Sequence, residues 1–272
     1  MDPSRLSVSH ITTVNWDLPT AVERYKSHGI GAFGPWRDKV EAFGFEAGKD
    51  LLHKSGLHVS NYCAAGFFTM GEGACQETVD AAVESTVAAI GETAELGADC
   101  LVVVSGPVNC FGVDGAMELI MPSLHKVALA ADERGVDLGL EALHPMDITT
   151  WSMVRTINQA LDIIDEINVP HFGLMLDLYN TWWDPQIVAG IRRAGAGGRI
   201  KGVHMADWRN PTRSFTDRTL PGRGIIPLER LIAEVEETGW TGPYDVEIFS
   251  DELWQSDYDL LLDETVAWFR RL

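Results

Sequence analysis

Eight times along its length the chain passes from a short, apolar, β-rich run to a longer helical stretch, and few folds accept that rhythm. The candidate strands are 8–14 (VSHITTV), 30–33, 57–62, 100–105 (CLVVVS), 136–141 (VDLGLE), 172–177 (FGLMLD), 200–204 (IKGVH) and 244–248 (YDVEI). Helical stretches lie between them, among them 77–96, 115–134, 152–166 and 227–238. Several stop at a glycine, at Gly97, Gly135 and Gly239, where a helix can turn left-handed without a Cβ penalty. Apolar runs flanked by helices predict parallel strands covered on both faces. Eight such units predict an α/β protein, a (β/α)₈ TIM barrel forming a single domain over 1–272. A doubly wound open sheet would need a glycine-rich turn after its first strand, and ITTVNWDLP has none.

A chain that is 46% hydrophobic can bury a sizeable core, yet no stretch reaches the ~20 apolar residues of a membrane span. The opening MDPSRLSVSH shows no signal-peptide pattern. The cysteines at 63, 75, 100 and 110 form no CxxC pair and read as reduced thiols, so a cytoplasmic protein is expected. Against 40 Asp and Glu stand 21 Lys and Arg, a formal charge of −19. That surface repels a phosphate backbone and speaks against nucleic-acid partners.

In a barrel, catalytic groups collect where strands end. The last four proposed strands end in Glu141, Asp177, His204 and Glu247. One strand-end acid would read as a helix cap; four consecutive donors read as a converging set. Three carboxylates at one barrel mouth repel each other without a cation. Three oxygens and one imidazole suit Mn²⁺, Mg²⁺ or Co²⁺, while zinc usually takes more His or Cys.

These residues also carry a resemblance. GLEALHPM, LDLYNTWWDP, HMADW, DRTLPGRG and GPYDVEIFS together resemble the sugar phosphate isomerase/epimerase family with a xylose-isomerase-like barrel. The resemblance covers most of the chain and is densest over 136–254. It implies one divalent metal, most often Mn²⁺, held by Glu141, Asp177, His204 and Glu247. It further implies that Glu141 and Glu247 move the proton next to a sugar carbonyl. Asn180, Trp182, Trp183, Asp207 and Arg218 are the expected substrate-binding residues, although the two tryptophans could equally pack beneath a loop. His144 is either a general base beside the metal or a loop histidine bonded to backbone. His10 and His58 could reach the mouth or sit in the core.

Three positions depart from the family pattern. Asn180 stands where members commonly have His, Ala64 in YCAAG replaces an arginine, and Arg223 in GRG replaces an acid. The lost arginine argues against a phosphorylated substrate unless Arg218 or Arg223 compensates. The expected function is therefore a metal-dependent isomerase or epimerase acting on a sugar or keto-sugar. The alternative is a lyase, since the catalytic subunit of a C-glycoside deglycosidase resembles the same barrel and eliminates the aglycone from a 3-oxo-glycoside. Trp16, Trp36, Phe67, Phe68, Trp182, Trp183 and Trp208 would offer that aglycone an aromatic mouth. An oligomer is expected in either case, with a small β-rich partner subunit in the second.

Overall fold

The computed structural model describes residues 1–71 and 76–272, so Cys75 lies outside the described residues. Parallel strands form a nearly closed barrel. Around it run β1 (Leu6–Ser9), β2 (Ala32–Gly34), β3 (His58–Val59), β4 (Tyr62–Gly66), β5 (Cys100–Val104), β6 (Asp137–Glu141), β7 (Phe172–Asp177) and β8 (Ile200–Met205). A short antiparallel pair, β9 (Asp207–Trp208) and β10 (Arg218–Thr219), rises from the mouth, and β11 (Tyr244–Val246) returns to the barrel between β8 and β1. The expected third strand is two pieces: β3 pairs with β2 and β4 pairs with β5. Closure passes through 58–66, where the Cys63 amide donates to Pro35 O and Trp36 bridges Cys63.

Helices wrap the outside: α1 (Leu18–Ser27), α2 (Arg37–Phe43), α3 (Phe45–Ser55), α4 (Gln76–Leu96), α5 (Gly112–Asp132), α6 (Ile157–Ile167), α7 (Leu178–Thr181), α8 (Ile187–Ala196), α9 (Leu228–Glu236) and α10 (Tyr258–Phe269). Side chains set their limits. Asp17 caps α1 by accepting from the Thr20 amide, and Thr156 caps α6 by accepting from Gln159 N. That second cap explains why α6 begins later than the expected 152. Before it, Met153 N donates to Gly106 O and Ser105 Oγ meets Ser152 Oγ, which ties the segment to β5. α6 then turns Ile157, Ala160, Leu161 and Ile164 onto the sheet.

The first strand also differs from the expected 8–14. β1 spans Leu6–Ser9, and His10–Thr13 form a 3-10 turn. Thr12 Oγ1 donates to Val246 O and accepts from Ile248 N, so a hydroxyl spends its bonds on the end of β11 and the ladder stops.

Directly below the mouth, two inward glycines make room for one sulfur. A Cβ on Gly139 would stand 3.0 Å from Met175 Cβ, and one on Gly202 would stand 2.6 Å from Met175 Sδ. Met175 packs there with Cys63, Cys100 and Val102. Cys63, Cys100 and Cys110 are free thiols. No helix among the described residues is long and apolar enough to cross a membrane.

Candidate metal centre and substrate cavity

β6 and β7 end in Glu141 and Asp177, His204 is the last residue but one of β8, and Glu247 follows directly on β11. One potential ligand atom from each of these four buried side chains lies within 4.8 Å of all the others. His204 Nδ1 is 2.9 Å from Glu141 Oε1 and 3.9 Å from Glu247 Oε2. Asp177 is held from behind: its Oδ1 accepts from the Tyr179 and Asn180 amides, and its Oδ2 accepts from the Asn180 side chain. Asn180 thus orients the carboxylate, while its own Oδ1 accepts from the His144 amide.

Arg218 enters from β10. Its Nη1 donates to Glu247 Oε2 at 3.0 Å and stands 3.9 Å from Asp177 Oδ2. The guanidinium is buried between the Tyr179 ring at 4.3 Å and the Phe249 ring at 4.7 Å. Three acids therefore face Arg218 and His204 in a buried site. Burial pushes the Glu141 carboxyl up to about 7, against the opposing bond from His204. Burial likewise raises Asp177 despite Arg218. For His204 burial works downward, but Glu247, Cys63 and Glu141 overcome it and hold the imidazole well above its usual range. Cys63 Sγ lies 3.9 Å from Glu247 Oε1, and burial keeps it a thiol.

A cavity of about 200 Å³ opens above this cluster. Glu141, Glu247 and Arg218 form its polar edge, whereas Asp177 and His204 do not line it. Its walls include Trp36, Phe67, Leu143, Trp151 and Phe249, together with Ala64, the residue read from the sequence as replacing an arginine. A larger depression of about 660 Å³ lies on the outer surface between α8 and α9, remote from these acids.

The other expected site residues sit around this cavity rather than in its lining. The His144 Nδ1 accepts from the Met146 amide, and its ring packs against Trp208 at 4.9 Å and Trp183 at 5.8 Å. Burial lowers its pKa. Trp182 packs on Trp208, and Trp183 Nε1 donates to Asn180 O. Asp207 accepts from the amides of Trp208, Gly222, Gly224 and Ile226 and so shapes the PGRG loop. A Cβ on Gly224 would meet Asp207 Oδ1 at 2.3 Å, so that loop requires glycine there. Arg223 points outward to Glu264. His10 is buried against Trp16 O, and His58 lies at the exposed start of β3, paired with Asp99. Of the expected aromatic mouth, Trp36 and Phe67 reach the cavity; Trp16 packs on Tyr258, and Phe68 is in the core.

Three features were not anticipated from the sequence. Trp151 and Phe249 wall the cavity, packed 5.7 Å apart, and both lie in loops whose direction only the fold reveals. Asp147 is buried near Arg218 and Asp177, and burial raises its pKa to about 6. Asp245, two residues before Glu247, points into the same barrel interior; period-two alternation was the available signal.

Comparison with known proteins is decisive at this point, because residues 22–272 match the family described as a xylose isomerase-like TIM barrel. The chain belongs to that family. Protein SMc04130 of Sinorhizobium meliloti superposes with a TM-score of 0.94 at 34% identity, covering 99% of this chain and 98% of that one. The IolI protein with a bound zinc atom shares the fold with a TM-score of 0.79 at 19% identity, over 97% of this chain and 96% of its own. Among curated relatives, a 3-dehydroshikimate dehydratase of Pseudomonas aeruginosa is 32% identical over 171 residues, 58% of this chain. An inosose isomerase of Halalkalibacterium halodurans is 29% identical over 136 residues, 48% of this chain. The match spans 24% of the dehydratase and 46% of the isomerase. These relatives are enzymes, with sugar isomerases and epimerases among them.

Proposed function

We propose that the chain is a divalent-metal-dependent enzyme that removes a proton from the carbon beside the carbonyl of a keto-sugar, as in isomerisation or epimerisation. The observation that carries this reading is the buried ring of Glu141, Asp177, His204 and Glu247 at the base of the cavity. The donor set fits a hard or borderline divalent cation: three carboxylates and an imidazole, in a site where burial raises the pKa of Glu141 and of Asp177. Mn²⁺ is the best fit, with Mg²⁺ or Co²⁺ next and Zn²⁺ less suited. A bound ion would supply Lewis-acid stabilisation of the negative charge that develops on the carbonyl oxygen.

Within the ring the roles divide by reach. Glu141 and Glu247 line the cavity, so they are the carboxylates able to take and return a proton at substrate carbon. Asp177 and His204 stand back as holders. Arg218, braced by two rings, orients the substrate oxygens and Glu247 together. His144 serves as a positioning group, since its Nδ1 lone pair is already occupied by a backbone amide. Arg218 is the cationic side chain among the described lining residues, and it is committed to Glu247, which favours an uncharged substrate over a sugar phosphate.

A second reading has its own support. The apolar walls suit a substituent that is not sugar, as in elimination of an aglycone from a 3-oxo-glycoside, a reaction that begins with the same proton abstraction. The dehydratase relative, named for an elimination, is compatible with that shared first step. Both readings are tested by incubating the Mn²⁺-loaded chain with free ketoses in D₂O and, separately, with an aryl 3-oxo-glycoside. Deuterium at the carbon beside the carbonyl supports isomerisation or epimerisation, and aglycone release supports the lyase. Neither signal from a metal-loaded, folded chain would overturn both.

A further inference from the structure

Barrel interiors are normally filled by layers of bulky apolar side chains. This one holds a buried polar patch under the metal centre, contributed by strands far apart in sequence. Asp245 on β11 is 1% exposed. Its Oδ1 accepts from Ser7 Oγ at 2.6 Å on β1, and Ser7 meets Ser60 Oγ at 2.7 Å. Its Oδ2 accepts from Asn61 Nδ2 at 3.0 Å, at the break between β3 and β4. A Cβ on Gly34 would come within 2.5 Å of that same oxygen, so the missing side chain at 34 leaves the carboxylate its seat.

A buried carboxylate is costly unless its oxygens are well partnered. Two neutral donors satisfy Asp245 only in part. The remaining neighbour is His204 Nε2, fully buried, without a hydrogen-bond partner among the described residues, and 3.5 Å from Oδ2. The opposite ring nitrogen, Nδ1, faces Glu141 and Glu247. A carboxylate behind Nε2 keeps a proton on that nitrogen and fixes the plane of the ring. The Nδ1 lone pair is then free for a cation.

We propose that Asp245, seated on Ser7 and Asn61, is the positioning residue that sets the tautomer and orientation of His204 and thereby the affinity of the site for its divalent ion. The inference rests on the metal-centre reading above. It concerns a residue outside the ligand set and outside the cavity lining.

The test is Mn²⁺ affinity of the purified, metal-stripped chain, measured by competition with a chelating dye, with thermal unfolding of each stripped variant recorded in parallel. Asp245→Ala should bind about 10–100-fold more weakly, the usual cost of losing the partner behind a ligating histidine. Asp245→Asn should recover most of that loss, because its amide oxygen can still accept from Nε2–H. Gly34→Ala removes no polar group but displaces the carboxylate, and should weaken binding in the same direction by a smaller factor. A folded Asp245→Ala chain that binds within about twofold of the parent would overturn the proposal. Should Asp245→Ala fail to fold, parent-like binding by Gly34→Ala would do so instead. Failure of the parent chain itself to bind Mn²⁺ would overturn the metal-centre reading before any variant is compared.

Discussion

From β6 round to β11 each barrel strand brings a buried donor to one point, on the strand or directly after it, whereas from β1 to β5 the barrel delivers part of the apolar wall and most of a polar bed. In the β6–β11 half, β6 pairs with β7 over four successive residues, and after one register shift at Leu174–Met175 Asp177 sits opposite His204. The β1–β5 half is irregular, with β1 cut short, the third strand broken at Ser60–Asn61, and the cavity wall built from Trp36, Ala64 and Phe67. Holding an ion needs atoms fixed within a fraction of an ångström, which paired strands provide. Accommodating a particular substrate needs surface that can be rewritten, which loops and broken strands provide. Of the departures at Ala64, Asn180 and Arg223, none is one of the four proposed ligands and Ala64 lines the cavity, whereas Asn180 braces Asp177 and Arg223 points outward.

Substitutions in the two halves should therefore fail differently. The largest effect is expected for Asp177→Asn. The amide can still cap α7 through its oxygen, so the fold should persist, but one anionic donor is gone. Metal content and turnover should fall together, turnover by about 10³-fold if the ion supplies several kcal/mol at the transition state. Full metal content with near-normal turnover would break the comparison on its metal side. Trp36→Ala, on the loop after β2, probes the other half. Removing an aromatic wall should raise KM for an aryl-bearing substrate about tenfold or somewhat more while Mn²⁺ affinity stays at the parent value. A change in metal affinity instead would mean that the two halves are not separable.

Smaller effects sharpen the picture. His144→Ala should cost about tenfold in turnover, roughly 1.4 kcal/mol, with metal retained, as expected for a packed positioning group. A loss of 10²-fold or more would return it to the role of general base. Proton competition should also be visible. Because burial holds Glu141 up to about 7, Mn²⁺ affinity should be full above that pH and decline as pH falls through it, by at most about tenfold per unit for one proton. In the metal-free chain the sign reverses. The raised carboxyl contributes stability below its ordinary value of 4.5 and loses it as pH rises toward 7. Thermal unfolding of the stripped chain across that window checks the direction.

Much of this was legible in the sequence, and the physical reason differs from part to part. The barrel followed from the alternation of apolar runs and helices, since burial on both faces leaves continuous apolar strands. The four donors stood out because each lies at or beside the end of an apolar run, which places it at the mouth whatever the loops do. The strand break at Ser60–Asn61 was not legible, because it follows from pairing to two different neighbours. Nor was the direction of Trp151, Trp182 or Trp183, which depends on how a loop is tied down: Trp183 by its bond to Asn180 O, Trp151 by packing on Phe215 and Phe249. Asp245 was readable as inward from its spacing to Glu247. Its partners Ser7 and Asn61 come from the opposite end of the chain, and only the closed barrel brings them to it.

The central claim is that one divalent ion sits among Glu141, Asp177, His204 and Glu247. Anomalous diffraction at the manganese edge, from crystals grown with Mn²⁺, tests it most directly. The expected result is one strong peak per chain, bonded to those four side chains at about 2.0–2.4 Å, with His204 ligating through Nδ1. A peak elsewhere, or none while Arg218 still holds Glu247 and His204 still meets Glu141, would contradict it.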